Sequence, residues 1–176
     1  MKKLLCTQEN LDYLPEGSVT HTFLSNEMPP LELCPSSYAF VFKNGALLLS
    51  DLREGERPTR RLDIPGGHVD DDELPDVSAV RETLEETGIV VVSPRLVAFN
   101  ENTVNSPKPE GWRYPYPTGY MLFYLCELVE EKPFEGSEDT HGRVWVSPEE
   151  FKNVPWCVKN KILLDEVVHI YKQSQS

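Results

Sequence analysis

Glu82, Glu85 and Glu86 stand at i, i+3 and i+4, so on a helix their carboxylates share one face. Stacking like charges in this way costs a helix roughly 0.2–0.5 kcal/mol per pair. The cost makes sense where a divalent cation normally sits among the carboxylates. Hard cations of the magnesium type take oxygen ligands, keep several waters and bridge to substrate phosphates. The competing reading is a solvated acidic helix face, which three glutamates alone do not exclude. Three neighbouring features count against it. Arg81 can hold one carboxylate in orientation, Gly66-Gly67 lets the backbone approach a ligand closely, and Gly88 ends the helix sharply.

These groups need a helix over residues 76–87 to carry them. Its spacing puts Val77, Val80 and Leu84 on one face, and Gly88 is placed to terminate it. Just upstream, Leu62-Asp63-Ile64 leads into Pro65-Gly66-Gly67, which predicts a short strand ending in a loop. Further strands are expected at 19–24, 37–42, 46–49, 96–104, 120–129 and 143–146. Asn44-Gly45 between two apolar runs is a hairpin signal, and Pro29, Pro30 and Pro35 mark a rigid connection. The loop before 120 carries Pro107, Pro109, Pro115 and Pro117. Ser147-Pro148-Glu149-Glu150 has an N-cap serine, a proline at the first helical position and a glutamate at the third. A last helix over 158–171 aligns Val158, Ile162, Leu163, Val167, Ile170 and Tyr171 in one stripe. Strands, a central helix, more strands and a closing helix predict an α/β fold with a mixed sheet between helices.

The 176 residues suit one domain with a single sizeable core, at 39% apolar and 26% charged residues. A net charge of −12 argues against a non-specific grip on nucleic acid, which needs basic residues to neutralise phosphates. Met1-Lys2-Lys3-Leu4-Leu5-Cys6 begins like an export signal, but the apolar run ends at Thr7-Gln8-Glu9-Asn10. No stretch is long and apolar enough to span a membrane. Cys6, Cys34, Cys126 and Cys157 form no C-x-x-C pair, so a zinc ribbon is not expected. They read as reduced thiols of a cytoplasmic protein.

Gly67, five residues, Glu73, seven residues, Arg81-Glu82, and finally Glu85-Glu86-Thr87-Gly88-Ile89 resemble the box of the Nudix (MutT-like) hydrolase family. The flanks resemble it too: Leu62 to Val69 on one side, Ser78-Ala79-Val80 on the other. Thr83 stands where the family usually has an aliphatic residue, and Asp72 replaces a glycine often seen before the box glutamate. The wider similarity covers roughly residues 37–151.

The resemblance implies an α/β/α sandwich over residues 37–176, with residues 1–36 as an N-terminal extension packing on it. It also implies a reaction, water attacking the phosphoanhydride of a nucleotide or a nucleoside diphosphate derivative. By position, Glu82, Glu85 and Glu86 would be metal ligands together with the Gly66 carbonyl, for Mg2+ or, in its place, Mn2+. Glu73 would support the metal shell and Arg81 would orient a glutamate. The general base is the glutamate at the position of Glu82 in some members and comes from a later loop in others. Glu138 and Asp139 are the later-loop candidates here. Glu82, Glu86, Arg81 and Glu138 are thus the candidate catalytic residues. The metal would lower the pKa of a bound water while a carboxylate takes its proton. The partner is a small nucleotide, and a homodimer stays open because many relatives form one.

Weaker signals concern the substrate. Trp112, Tyr114 and Tyr116 on a proline-stiffened loop could stack on a nucleobase, with Arg113 near a phosphate. An aromatic patch covering a sheet edge is the plainer reading. The run faintly resembles the signature of NADH-cleaving members, but Tyr114 lies too far beyond Ile89 and a four-cysteine ribbon is missing. Pro107 and Pro109 match the marker proline of ADP-ribose enzymes only loosely. His68 could touch a phosphate, and Arg57, Arg60 and Arg61 could attract an anion. Two further classes compete: a sensor that binds a nucleotide without cutting it, and an isomerase of isoprenoid diphosphates that would need a catalytic cysteine. All three box glutamates are present, which disfavours the sensor.

Overall fold

The chain begins with strands β1 (Lys3–Glu9), β2 (Ser18–Leu24), β3 (Ser36–Lys43) and β4 (Ala46–Leu52). Asn44 and Gly45 join the last two with φ of 51° and 83°, the positive values a tight two-residue hairpin needs. The computed structural model describes residues 2–53 and 61–175, so Arg57 and Arg60 of the basic cluster lie outside the described residues. Next come β5 (Leu62–Asp63), β6 (Gly66–His68), helix α1 (Pro75–Thr87), β7 (Ile89–Val104), β8 (Thr118–Glu131) and β9 (Thr140–Val146). Helices α2 (Pro155–Lys159) and α3 (Lys161–Ser174) close the described chain.

The strands run in the order β1-β2-β7-β8-β3-β4-β5, with β6 added on β3 and β9 on β4. β3 and β8 pair parallel and the other pairs are antiparallel, so the sheet is mixed. Along β3 the side chains alternate between two cores. Tyr38, Phe40 and Phe42 pack with Trp156, Leu163, Leu164 and Val167 of the closing helices. Ala39 and Val41 pack on the opposite side with Ala79 of α1, Ile89 and Leu122. Helices thus cover both faces of the sheet, as the sequence predicts.

Several elements differ from the sequence reading. Residues 3–9, which read as a failed export signal, form an edge strand on β2. β7 starts at Ile89 rather than 96, because the register shifts between Val92 and Arg95 absorb Pro94 and a positive φ of 52° at Ser93. Ser147 does receive Glu150 as a capping partner, through its N–H at 3.0 Å and its hydroxyl at 2.8 Å. Only a 3-10 turn at Phe151–Asn153 follows, however. The closing helix breaks at Asn160, whose amide Nδ2 donates to the Trp156 carbonyl at 2.9 Å. The break lets Trp156 and Cys157 bury and leaves Val158 and Ile162, expected in the apolar stripe, 56% and 53% exposed.

The largest difference is the seat of α1. Val77 and Leu84, expected inside, are 51% and 38% exposed, while Ser78, Ala79, Thr83 and Thr87 are buried. Small side chains let the helix lie close to the sheet. The Thr83 hydroxyl donates to the Ala79 carbonyl at 2.6 Å and so needs no partner from the sheet. Thr83, the departure from the family pattern, is therefore compatible with its fully buried position. Among the described residues, no helix is long and apolar enough to cross a membrane.

Candidate active site

The close seat of α1 brings its acidic face against the glycine turn. A Cβ on Gly67 would lie 3.1 Å from the Glu82 carboxyl carbon and from both its oxygens. One turn further, Glu86 Oε2 accepts from the Ser50 hydroxyl of β4 at 2.8 Å and from the Gly66 N–H at 3.2 Å. The Glu86 main-chain carbonyl accepts from the buried Thr140 hydroxyl at 2.8 Å. Three strands, β4, β6 and β9, are thus tied to one residue.

Electrostatics at this point are unfavourable to negative charge in the protein alone. Burial pushes the Glu86 carboxyl up to about 7, and the neighbouring charges of Glu82 and Asp63 add to it against the two hydrogen bonds. Glu82 is likewise raised by burial, opposed by its contact with Arg81. Partly buried hard oxygen donors that repel one another fit a divalent cation of the magnesium type. Among the described residues, no three His, Cys, Asp or Glu side chains are already gathered as a complete metal cage.

Arg81 is the reason. Its Nε and Nη2 grip both oxygens of Glu73 at 2.9 Å each, a bidentate clamp. Its Nη1 donates to Glu82 Oε1 at 2.8 Å and to Glu85 Oε2 at 3.0 Å, and Nη2 reaches the His68 carbonyl at 3.3 Å. Glu85 is therefore turned toward Arg81. Arg81 holds Glu73 well below the usual carboxylate range, and Glu73 in turn raises Arg81. Lysine cannot reproduce this fork. Arg81→Lys is expected to weaken divalent-cation affinity by about 10–100-fold, the usual effect of losing a partner that orients a ligand. Calorimetric titration with Mg2+ checks this; unchanged affinity would show that Arg81 only braces the helix.

A cavity of about 160 Å³ adjoins this cluster and shares Asp63, Ile64 and His68 with the entry to the glycine turn. Its far wall comes from β7, through Asn100 and Asn102, and from the proline-rich loop, through Trp112 and Tyr114. The His68 ring stacks on Tyr114 at 5.4 Å between centroids, with Nε2 and the Tyr114 hydroxyl 2.7 Å apart. Trp112 meets Tyr114 edge-on at 4.9 Å.

A sequence model of the NUDIX domain matches residues 33–166. The chain belongs to the Nudix family. It is 33% identical over 105 residues to an 8-oxo-dGTP diphosphatase of Haemophilus influenzae, an alignment covering 58% of this chain and 66% of that relative. Among solved structures, a Bacillus subtilis pyrophosphohydrolase is similar at a TM-score of 0.63, with 19% identity, covering 88% of this chain and 92% of its own. A NUDIX hydrolase of Nitrosomonas europaea is similar at a TM-score of 0.54, with 20% identity, covering 72% and 86%. At those identities the two structures speak for the Nudix fold.

Within this Nudix domain the residues singled out from sequence fall into three groups. Gly66, Glu82 and Glu86 meet at the glycine turn with Glu85 and Arg81 beside them, and His68, Trp112 and Tyr114 line the adjoining cavity. Tyr116 is not with them: its hydroxyl donates to the Ser106 carbonyl at 2.9 Å, and it does not line the cavity. Arg61 also lies apart, with Nε 3.0 Å from Asp51 Oδ1 and a side chain 80% exposed. Glu138 is exposed on the loop that enters β9, two residues before Thr140. Ser50, Asp63, Thr140, Asn100 and Asn102 escaped the sequence reading. Two asparagines at i and i+2 of a strand were the available signal for the last pair.

Cys34 and Cys126 are buried in the core beneath α1 and line no part of the cavity. Burial pushes their thiols up to about 11 and about 12. A protonated thiol away from the cavity disfavours the isomerase chemistry.

Proposed function

We propose that this chain hydrolyses a phosphoanhydride bond in a nucleotide or nucleoside diphosphate derivative, using Mg2+, with Mn2+ able to replace it. The observation that carries the reading is the Glu86 carboxyl, held by Ser50 and the Gly66 N–H at the glycine turn and pushed up to about 7 chiefly by burial, with the charges of Glu82 and Asp63 adding to it. Such a group recovers its favourable charge when a cation arrives. A divalent cation bound there would lower the pKa of an attacking water and offset phosphate charge.

The chain's own residues take the remaining roles. Glu82 and Glu86 are the principal carboxylate ligands, with the Gly66 carbonyl and Glu85 completing the set. Arg81, fixed by Glu73, orients the Glu82 carboxylate. Glu138, on the loop anchored to Glu86 through Thr140, is the candidate to take the water proton. His68, Trp112 and Tyr114 hold the part of the substrate beyond the phosphates. The four free cysteines support a reducing, cytoplasmic setting.

The test is a panel of nucleoside triphosphates including 8-oxo-dGTP, ADP-ribose, NADH, dinucleoside polyphosphates and nucleotide sugars, each with Mg2+ and with a chelator. Turnover of at least one, abolished by the chelator, is expected. A protein that binds nucleotides yet turns over none of them is a sensor, and the hydrolase reading falls.

A further inference from the structure

Two asparagines on β7 have one half of each carboxamide already occupied. The Thr20 hydroxyl donates to Asn102 Oδ1 at 2.7 Å, and the Thr22 hydroxyl donates to Asn100 Oδ1 at 2.8 Å. All four side chains are buried, and both pairs sit directly opposite one another in the β2–β7 ladder. Fixing the oxygen fixes the amide. The two Nδ2 groups have no partner among the described residues, and both asparagines line the cavity. Trp112 lines the same cavity, and its indole Nε1, shielded from solvent, is likewise unpartnered among the described residues.

An enclosed donor without an acceptor costs about 1–3 kcal/mol, which applies to the Trp112 indole N–H, and the two carboxamide donors belong to residues lining the same cavity. Around them the cavity offers the flat apolar faces of Tyr38, Tyr114, Tyr120 and Phe123. Aromatic walls suit a planar ring, and a donor-rich wall suits a ring that presents acceptors. We infer that this cavity seats a keto nucleobase, with a carbonyl oxygen of the base accepting from Trp112 and from an asparagine carboxamide of the Asn100 and Asn102 pair. Hypoxanthine, guanine and uracil carry a carbonyl where adenine and cytosine carry an amino group. An amino group against this wall sets donor against donor and leaves both unpaired, which is how a polar site rejects a near-isostere.

Thr20 and Thr22 are positioning residues in this scheme, holding the carboxamides without touching the base. They lie outside residues 33–166, the segment matched by the family model. Gln8, Leu11, Tyr13 and Leu14 also line the cavity from that outer segment. The recognition wall is therefore built partly by strands that lie outside the segment matched by the family model.

The inference deepens the hydrolase reading and rests on it, since the phosphates must face the glycine turn, but its test needs no turnover. Inosine and adenosine monophosphates differ at the keto or amino position and contain no phosphoanhydride. Calorimetry is expected to give affinity for the inosine compound at least about 10-fold above that for the adenosine compound. The double variant Thr20→Val, Thr22→Val should reduce the preference to within about 3-fold, and Thr20→Ser with Thr22→Ser should restore it. Trp112→Phe should weaken the inosine compound alone. Circular dichroism melts confirm that each variant is folded. Equal affinities, a preference for adenosine, no measurable inosine binding, or a preference that survives both valines would overturn the proposal. A keto preference in a protein that hydrolyses nothing would keep the base seat and sink only the hydrolase reading.

Discussion

Glu86→Gln is expected to lower kcat by roughly 10²–10⁴-fold while leaving the fold intact. Glutamine keeps an oxygen that can accept from Ser50 and from the Gly66 N–H, so the tie between α1, β4 and β6 persists. It loses the charge a cation requires. Stability should respond in the opposite sense. The wild-type carboxyl titrates near 4.5 when the chain is unfolded and near about 7 when folded, chiefly through burial. A raised acid pKa means the folded state holds the proton more tightly. That contribution is fully present below about pH 4.5 and is lost as pH rises through about 7, amounting to about 3 kcal/mol across the window.

Urea unfolding in chelator should therefore show the wild type weakening between about pH 5 and pH 8, with a smaller decline in the glutamine variant. Mg2+ at the higher pH should strengthen the wild type and have little effect on the variant. Full turnover by the variant, or parallel stability curves, would remove Glu86 from the centre of the site.

Gly66→Ala should be severely damaging. The residue has φ of +149°, and an added Cβ would lie 2.4 Å from the Ser37 carbonyl oxygen and 2.6 Å from the Tyr38 Cα. Both are backbone atoms of β3 and cannot rotate aside, so β6 must leave its partner. A loss of about 3 kcal/mol or more and a melting temperature lower by about 10 °C follow, with activity lost because the glycine turn moves. Gly67→Ala supplies the contrast. The atoms nearest its added Cβ are those at the end of the flexible Glu82 side chain, at 3.1 Å. That variant should melt close to wild type and still be slow. Thermal melts of the two read the difference directly, and a Gly66→Ala protein as stable as wild type would refute the packing argument.

The parts of the fold legible in sequence were those set by short-range rules. Asn44-Gly45 closes its hairpin, Gly88 ends α1 in a left-handed conformation with φ of 68°, and the spacing of Glu82 and Glu86 put them on one face at the glycine turn. What stayed hidden depended on tertiary pairing. The buried side of α1 includes Thr83 and Thr87, whose hydroxyls donate to carbonyls of their own helix, and Ser78, whose hydroxyl donates to the His68 carbonyl; such residues look polar in a sequence yet pack as if apolar. Glu85 faces an arginine because Glu73 pins that arginine from eight residues away. The recognition wall joins residues 82 positions apart in one case and 78 in the other, a pairing no local period announces.

The seam between β2 and β7 also joins a strand of the matched segment to one outside it. The groups proposed to cut lie on α1, the glycine turn and the loop before β9; those proposed to read the base are oriented from a strand outside the matched segment. Substitutions confined to β2 would then change which base is accepted without touching the groups proposed to cut.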